Sequence, residues 1–227
     1  MTIGGKVNVC KIYWGKIYRK NIIQNTNTNN TSNIFSVDQA SLTETDQNIK
    51  LIMSFALPGM KAPDFGGMTT GPKGHNEMFL KDFTTNGNWC LLFFYPMDFG
   101  YISPSELLSL NSIKKDLDDL KCNLVACSTD SAVVHNKFLS VTPEQGGVKG
   151  LSFPLLEDVN GDISEKYGVL RKDSGYTFRG YFLIDSEGII RMRTVYDLPV
   201  GIGCERLPET IKAVQDALRE DTWFEKN

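Results

Sequence analysis

Apolar residues run without interruption from Trp89 to Tyr95, closed by Asn88 on one side and Pro96 on the other. A run of that length between turn residues predicts a strand covered on both faces. The period then changes. Leu107, Leu110, Ile113, Leu117 and Leu120 recur at helical spacing, and Pro104 suits a first helical turn, where its missing N–H costs nothing. The alternation continues: "CNLVACSTD" predicts a strand, "SAVVHNKFLSVTPEQ" a helix that stops before the Gly-rich "GGVKG", and "ISEKYGV" a short helix. "RGYFLIDSEGIIRMRTVYD" predicts two strands joined at Ser186, Glu187 and Gly188, and "CERLPETIKAVQDALRE" a closing helix. Upstream, "GGMTTGPKGHNEMFL" has the punctuation of a loop and hairpin. Strand–helix–strand–helix followed by a hairpin and a helix predicts an α/β sandwich, a central mixed sheet flanked by helices.

Residues 1–52 break this pattern. Lys6, Lys11, Lys16, Arg19 and Lys20 all precede the first acid, Asp38, and "NIIQNTNTNNTSN" is a polar, low-complexity stretch. Such a segment cannot bury enough apolar surface to offset its ordering entropy, so 1–52 reads as a disordered or leader-like extension. The folded domain is expected over 53–227, entered through "MKAPDF". No apolar h-region marks a secretory signal. The basic, acid-free start is compatible with an organellar transit peptide; otherwise a cytoplasmic location is expected.

Composition narrows the function classes. With a formal net charge of -3, the chain has no basic footprint for nucleic acid. The longest apolar run, "CLLFFYPM", falls far short of a membrane span. Five cysteines (Cys10, Cys90, Cys122, Cys127 and Cys204) form neither a regular disulfide framework nor a C-x-x-C pair. Cys90, Cys122 and Cys127 fall in or beside strands and are expected to be packing residues. His75 and His135 are the only histidines. They argue against a His-rich metal site or a Ser-His-Asp triad, and are expected at the surface or in turns. No metal or organic cofactor is implied.

Chemistry concentrates in "FFYPMDFGYISPSE", Phe93 to Glu106, where Ser103 stands at the turn from loop into helix. Unpaired N–H groups of a first helical turn favour an anion. A cysteine there has its pKa lowered from about 8.5 to roughly 3.5–7.5, and its thiolate can attack a peroxide O–O bond to give a sulfenic acid. Serine stays protonated near neutral pH, is the poorer nucleophile toward peroxide, and needs an adjacent base.

From about Phe55 to Trp223, roughly three-quarters of the chain, the sequence resembles the peroxiredoxin family. It looks most like the typical 2-Cys branch of thioredoxin peroxidases and alkyl hydroperoxide reductase C. The matching stretches are "APDF", "FFYPMDF" followed by "PSE", "STDS", "EQGGVKG", "YGVL", "FRGYFLID" and "DLPVG". The resemblance implies a thioredoxin-like sandwich and thiol-dependent reduction of hydrogen peroxide and alkyl hydroperoxides. It also implies thioredoxin as electron donor, and a homodimer paired through "GIIRMRTVYD" that extends to a decamer. By that resemblance Pro96, Glu106 and Arg179 are site residues, Arg179 orienting peroxide and stabilising the thiolate. Ser103 stands at the peroxidatic cysteine position, Gly100 replaces a Thr or Ser, and Ile202 replaces a basic residue. The sequence ends at "WFEKN", before the element that carries the family's resolving cysteine.

Three readings of Ser103 stay open: a naturally degenerate site, an engineered Cys→Ser exchange, and a serine with catalytic work of its own. The leading expectation is a peroxiredoxin homologue with impaired catalysis, which co-assembles with an active paralogue. The alternatives are a peroxidase working through another thiol, Cys204, and a non-catalytic scaffold or chaperone-like oligomer. Arg179 could equally be a surface ion-pair residue, Glu106 a carboxylate answering the helix dipole, Pro96 a strand terminator, and Cys204 a loop residue without a role.

Overall fold

The computed structural model describes residues 56–219. The expectations for 1–52, for Cys10 and for the terminal "WFEKN" lie outside the described residues.

Among the described residues, seven strands form one sheet, β1 (Gly66–Gly71), β2 (Gly74–Phe79), β3 (Trp89–Phe94), β4 (Cys122–Ser128), β5 (Leu155–Glu157), β6 (Arg179–Ile184) and β7 (Ile190–Tyr196), in the order β2-β1-β5-β4-β3-β6-β7. β3 and β4 pair in parallel, as do β4 and β5; β6 runs antiparallel to β3, and β7 to β6. The mixed α/β sandwich is therefore present, with the most apolar runs, β3 and β4, at its centre.

Alternation along β3 sends side chains to two cores. Leu91 and Phe93 join Leu107, Leu110, Leu117, Phe138 and Ile211 on one face. Cys90, Leu92 and Phe94 join Phe65, Phe83, Tyr167 and Phe182 on the other. The first face is covered by α2 (Ser103–Ser112), α3 (Lys114–Asp119), α4 (Ala132–Ser140) and α6 (Leu207–Arg219); the second by α1 (Leu80–Thr84) and α5 (Asp162–Lys166). Cys90, Cys122 and Cys127 are buried packing residues, as the strand pattern predicts.

Four local features differ from the sequence expectation. The single helix from Pro104 to Leu120 is two, α2 and α3, broken at Ile113 (φ -96°, ψ 3°). The helix expected to reach Gln145 ends at Ser140: Val141 is already extended (φ -91°, ψ 139°), and Thr142, which Pro143 holds out of the helical region, stays so (φ -72°, ψ 157°). Two short elements, α1 and β5, are additional. The expectation that both histidines lie at the surface or in turns needs correction. His75 is exposed on β2, whereas His135 is fully buried on α4.

Candidate active site

The segment from Tyr95 to Ser103 leaves the C-terminal end of β3, turns, and enters α2. Thr177 holds its start by donating its hydroxyl to the Tyr95 carbonyl at 2.7 Å. The Tyr95 hydroxyl donates to Asp98 Oδ1 at 2.7 Å, and His135 Nδ1 meets Asp98 Oδ2 at 2.8 Å. The Asp98 N–H donates to Asp130 Oδ2, also at 2.7 Å, and Ser128 Oγ reaches the same oxygen. Burial beside Asp98 pushes the Tyr95 phenol well above its usual range, so it stays a donor. This network fixes a backbone that is not relaxed. Phe99 has φ 55°, a left-handed conformation that costs a non-glycine residue about 1–2 kcal/mol. Its ring rests on Phe138 at 4.8 Å between centroids.

Ser103 is the first residue of α2 and is 0% exposed. Its hydroxyl has no hydrogen-bond partner, and His135 Nε2, also buried, has none either. The two therefore do not bond each other. Asp98 and His135 make two members of a triad-like chain, but no base reaches Ser103 Oγ. Pro96 is buried in the turn.

One turn along α2 from Ser103, buried Glu106 is the hub of the site. The Arg179 guanidinium, at the start of β6, donates through Nη1 to Glu106 Oε2 and through Nε to the Leu198 carbonyl at 2.8 Å. The Ile202 N–H donates to Glu106 Oε1 at 2.8 Å. Burial raises the Glu106 carboxyl above its ordinary range, against the lowering pull of Ile202 N–H and Arg179. Arg179 is 5% exposed, so it is not a surface ion-pair residue. Ile202 tucks its side chain into the apolar core. The resemblance puts a basic side chain at this position; here only the backbone of residue 202 reaches the carboxylate.

Cys204 lies beside this cluster, 0% exposed, its thiol directed at the Ile202 carbonyl 3.5 Å away. Burial first, then the charge of Glu106, pushes its pKa up to about 12. It is a protonated, enclosed thiol, the opposite of an activated nucleophile.

Pro96, Ser103, Glu106 and Arg179 thus sit at one end of the sheet, with Glu106 and Arg179 in direct contact. Asp98 and His135 were missed. The signal available was Asp98 inside the quoted "FFYPMDF" and a histidine after "STDS", with nothing to link the two. A separate cleft of about 360 Å³ beside the β1–β2 hairpin is lined by Lys73, Asp82, Lys114, Asp118 and Asn123, among others, and shares no residue with this site.

Residues 58–193 match the model of the AhpC/TSA family. The rat protein Peroxiredoxin-2 is 36% identical over 157 residues, which is 69% of this chain and 78% of the relative. A thioredoxin peroxidase of Echinococcus granulosus is 38% identical over 160 residues, 70% of this chain and 82% of the relative. The crystal structure of a reduced 2-Cys peroxiredoxin from Plasmodium vivax superposes with a TM-score of 0.68 at 29% identity, covering 71% of this chain and 83% of that one.

Proposed function

The chain belongs to the AhpC/TSA family, and from that premise we propose that it is a thioredoxin peroxidase homologue whose own peroxide turnover is impaired. One observation supports this reading: Ser103 Oγ, at the position the resemblance assigns to the peroxidatic cysteine, is buried and has no base in hydrogen-bond reach. A hydroxyl so placed stays protonated and cannot enter the sulfur oxidation ladder. The surrounding frame is kept, with Glu106 and Arg179 paired at the positive end of α2. A retained frame without a nucleophile fits a protein that serves by binding and assembly. Among the described residues β7 is the terminal strand of the sheet, bonded at Ile190 to the backbone of Gly59 and Met60; strand addition along the rest of that edge is the mode by which a second copy or an active paralogue would join. A homodimer formed there, able to extend to a decamer, is the assembly this reading expects, with thioredoxin as the family's electron donor.

The test is hydrogen peroxide consumption, read as loss of peroxide with dithiothreitol as the reductant and, separately, as NADPH oxidation with thioredoxin and its reductase alone, by the protein, by Ser103→Cys and by Cys204→Ala. The protein is expected to be inert, and Ser103→Cys to gain turnover. Turnover by the protein itself that disappears in Cys204→Ala would overturn the site assignment. An inert Ser103→Cys would mean that the changes at Gly100 and Ile202 have dismantled the site as well.

A further inference from the structure

Residues 197–204 lead from β7 toward α6 without helix or strand. Asp197, Pro199, Val200, Gly201 and Gly203 are exposed, while Ile202 and Cys204 turn inward, 6% and 0% exposed. Side chains from two other elements tie this connection down. Arg179, on β6, donates through Nε to the Leu198 carbonyl at 2.8 Å, and Glu106, on α2, accepts the Ile202 N–H at Oε1, also at 2.8 Å. The two side chains bond each other through Nη1 and Oε2. Each end of one buried ion pair thus holds the backbone of the same connection, at Leu198 and at Ile202. A β-carbon on Gly201 would lie 3.2 Å from Ile102 Cγ2, so the connection lies tight against the start of α2.

The segment's own bonds are local. The Val200 N–H reaches the Asp197 carbonyl at 3.0 Å, and the Leu198 N–H reaches Asp197 Oδ1 at 2.8 Å. A segment with few buried side chains and an exposed backbone opens at a lower free energy than the whole domain. The ion pair is of another kind. Its bonds are charge-assisted, and loss of one partner leaves the other charge buried without compensation. Closure of the segment is therefore decided at Glu106 and Arg179 more than along the segment itself.

We propose that residues 197–204 form a strap that opens and closes as one unit while the sheet stays folded, with the Glu106–Arg179 pair as the clip that holds it shut. Closed, the strap occupies Glu106 Oε1 and Arg179 Nε with the chain's own backbone. Open, it frees both groups and carries Cys204 into solvent. The inference goes beyond the reading above and does not depend on it, since the clip uses neither Ser103 nor a reactive thiol.

Cys204 is a built-in reporter. In the closed strap its thiol is enclosed and, with its pKa pushed up to about 12 by burial, protonated; the open form is the one that reacts. Cys90, Cys122 and Cys127 lie buried in the central strands and react when the domain unfolds. The test is N-ethylmaleimide labelling of the reduced full chain in a urea series below the unfolding transition, with each cysteine followed by peptide mass spectrometry. Cys204 is expected to label faster than the strand cysteines and with a shallower urea dependence, since local opening exposes less surface than unfolding. Glu106→Gln keeps an acceptor for the Ile202 N–H but loses the charge. It should raise the Cys204 rate about tenfold relative to the strand cysteines, the effect of one charge-assisted hydrogen bond. Arg179→Lys, which keeps the charge but not the planar fork that reaches both Glu106 and Leu198, should raise it in the same direction. If Cys204 keeps pace with the strand cysteines at every urea concentration, the segment opens only with the domain and the inference is overturned, a result that the parent protein alone can give. It is overturned as well if Cys204 labels separately but neither substitution changes its relative rate, because the ion pair is then not the clip. The peroxide assay of Ser103→Cys is untouched by either result.

Discussion

Two parts of the same turn, Tyr95 to Asp98 and Gly100 to Ser103, are held very differently. At Tyr95 and Asp98, hydrogen bonds converge from β4, α4 and the segment before β6, and keep Phe99 at a left-handed φ. At Gly100 and Ser103 there is a missing side chain and a buried hydroxyl with no partner. The first part belongs to the folding energy of the domain. The second contributes little to it, since an unpaired buried hydroxyl is a cost. On the proposed reading, the frame around a reactive position persists while the reactive atom changes, because different residues hold the two.

Removing the centre of the first part should have the largest effect. Asp98→Ala leaves both the Tyr95 hydroxyl and His135 Nδ1 without their acceptor in the interior. Breaking a buried ionic or hydrogen-bonded pair from one side costs about 3–5 kcal/mol. Urea unfolding should show that loss, and Asp98→Asn, which keeps one acceptor oxygen, should lose less. If Asp98→Ala is as stable as the parent, the contrast between the two parts does not exist.

Adding a side chain at Gly100 should have an intermediate effect. Gly100→Thr brings atoms within 3.2 Å of Met97 Cγ and Ser103 Oγ, and overpacking of that kind costs about 1–3 kcal/mol. Pairing it with Met97→Ala should return part of the loss, since the obstacle is a flexible side chain. A Gly100→Thr cost unchanged in that background would place the strain in the backbone instead.

How much of this was legible depends on what each feature leaves in a sequence. β3, β4, β6 and β7 were readable because their apolar runs are long and bounded by turn residues. β5, three residues long, is too short to carry a period. The break at Ile113 was hidden because Leu107, Leu110 and Leu117 keep facing one core across it. Pro143 carries a signal for the end of α4, through the constraint it places on the residue before it, but the expected helix ran past it to Gln145 because the apolar spacing continues through Val141. In the site, Glu106 and Arg179 were visible only through the resemblance, 73 positions apart. The Ile202 N–H could not be foreseen, because every residue but proline carries that donor. His135 was misplaced for a related reason: a lone histidine has no periodic signature, and its partner Asp98 lies 37 positions away.

The smallest expected effect is the most direct probe of the second part. Ser103→Ala removes a hydroxyl that is 0% exposed and bonded to nothing, while the helix start, Pro104 and Glu106 remain. An unsatisfied buried polar group costs about 1–3 kcal/mol, and the methyl of alanine fits within the volume that serine occupies. Ser103→Ala should therefore raise stability by about 1 kcal/mol, at the low end of that range because a hydroxyl rotates to find weak electrostatic compensation. Denaturant unfolding of both proteins, with unchanged slopes, measures it. A gain means that the position is free of folding duty and that its residue was set by chemistry, present or past. A loss of similar size would mean that Ser103 Oγ has a partner in solution, and the place to look for it would be the unpaired Nε2 of His135.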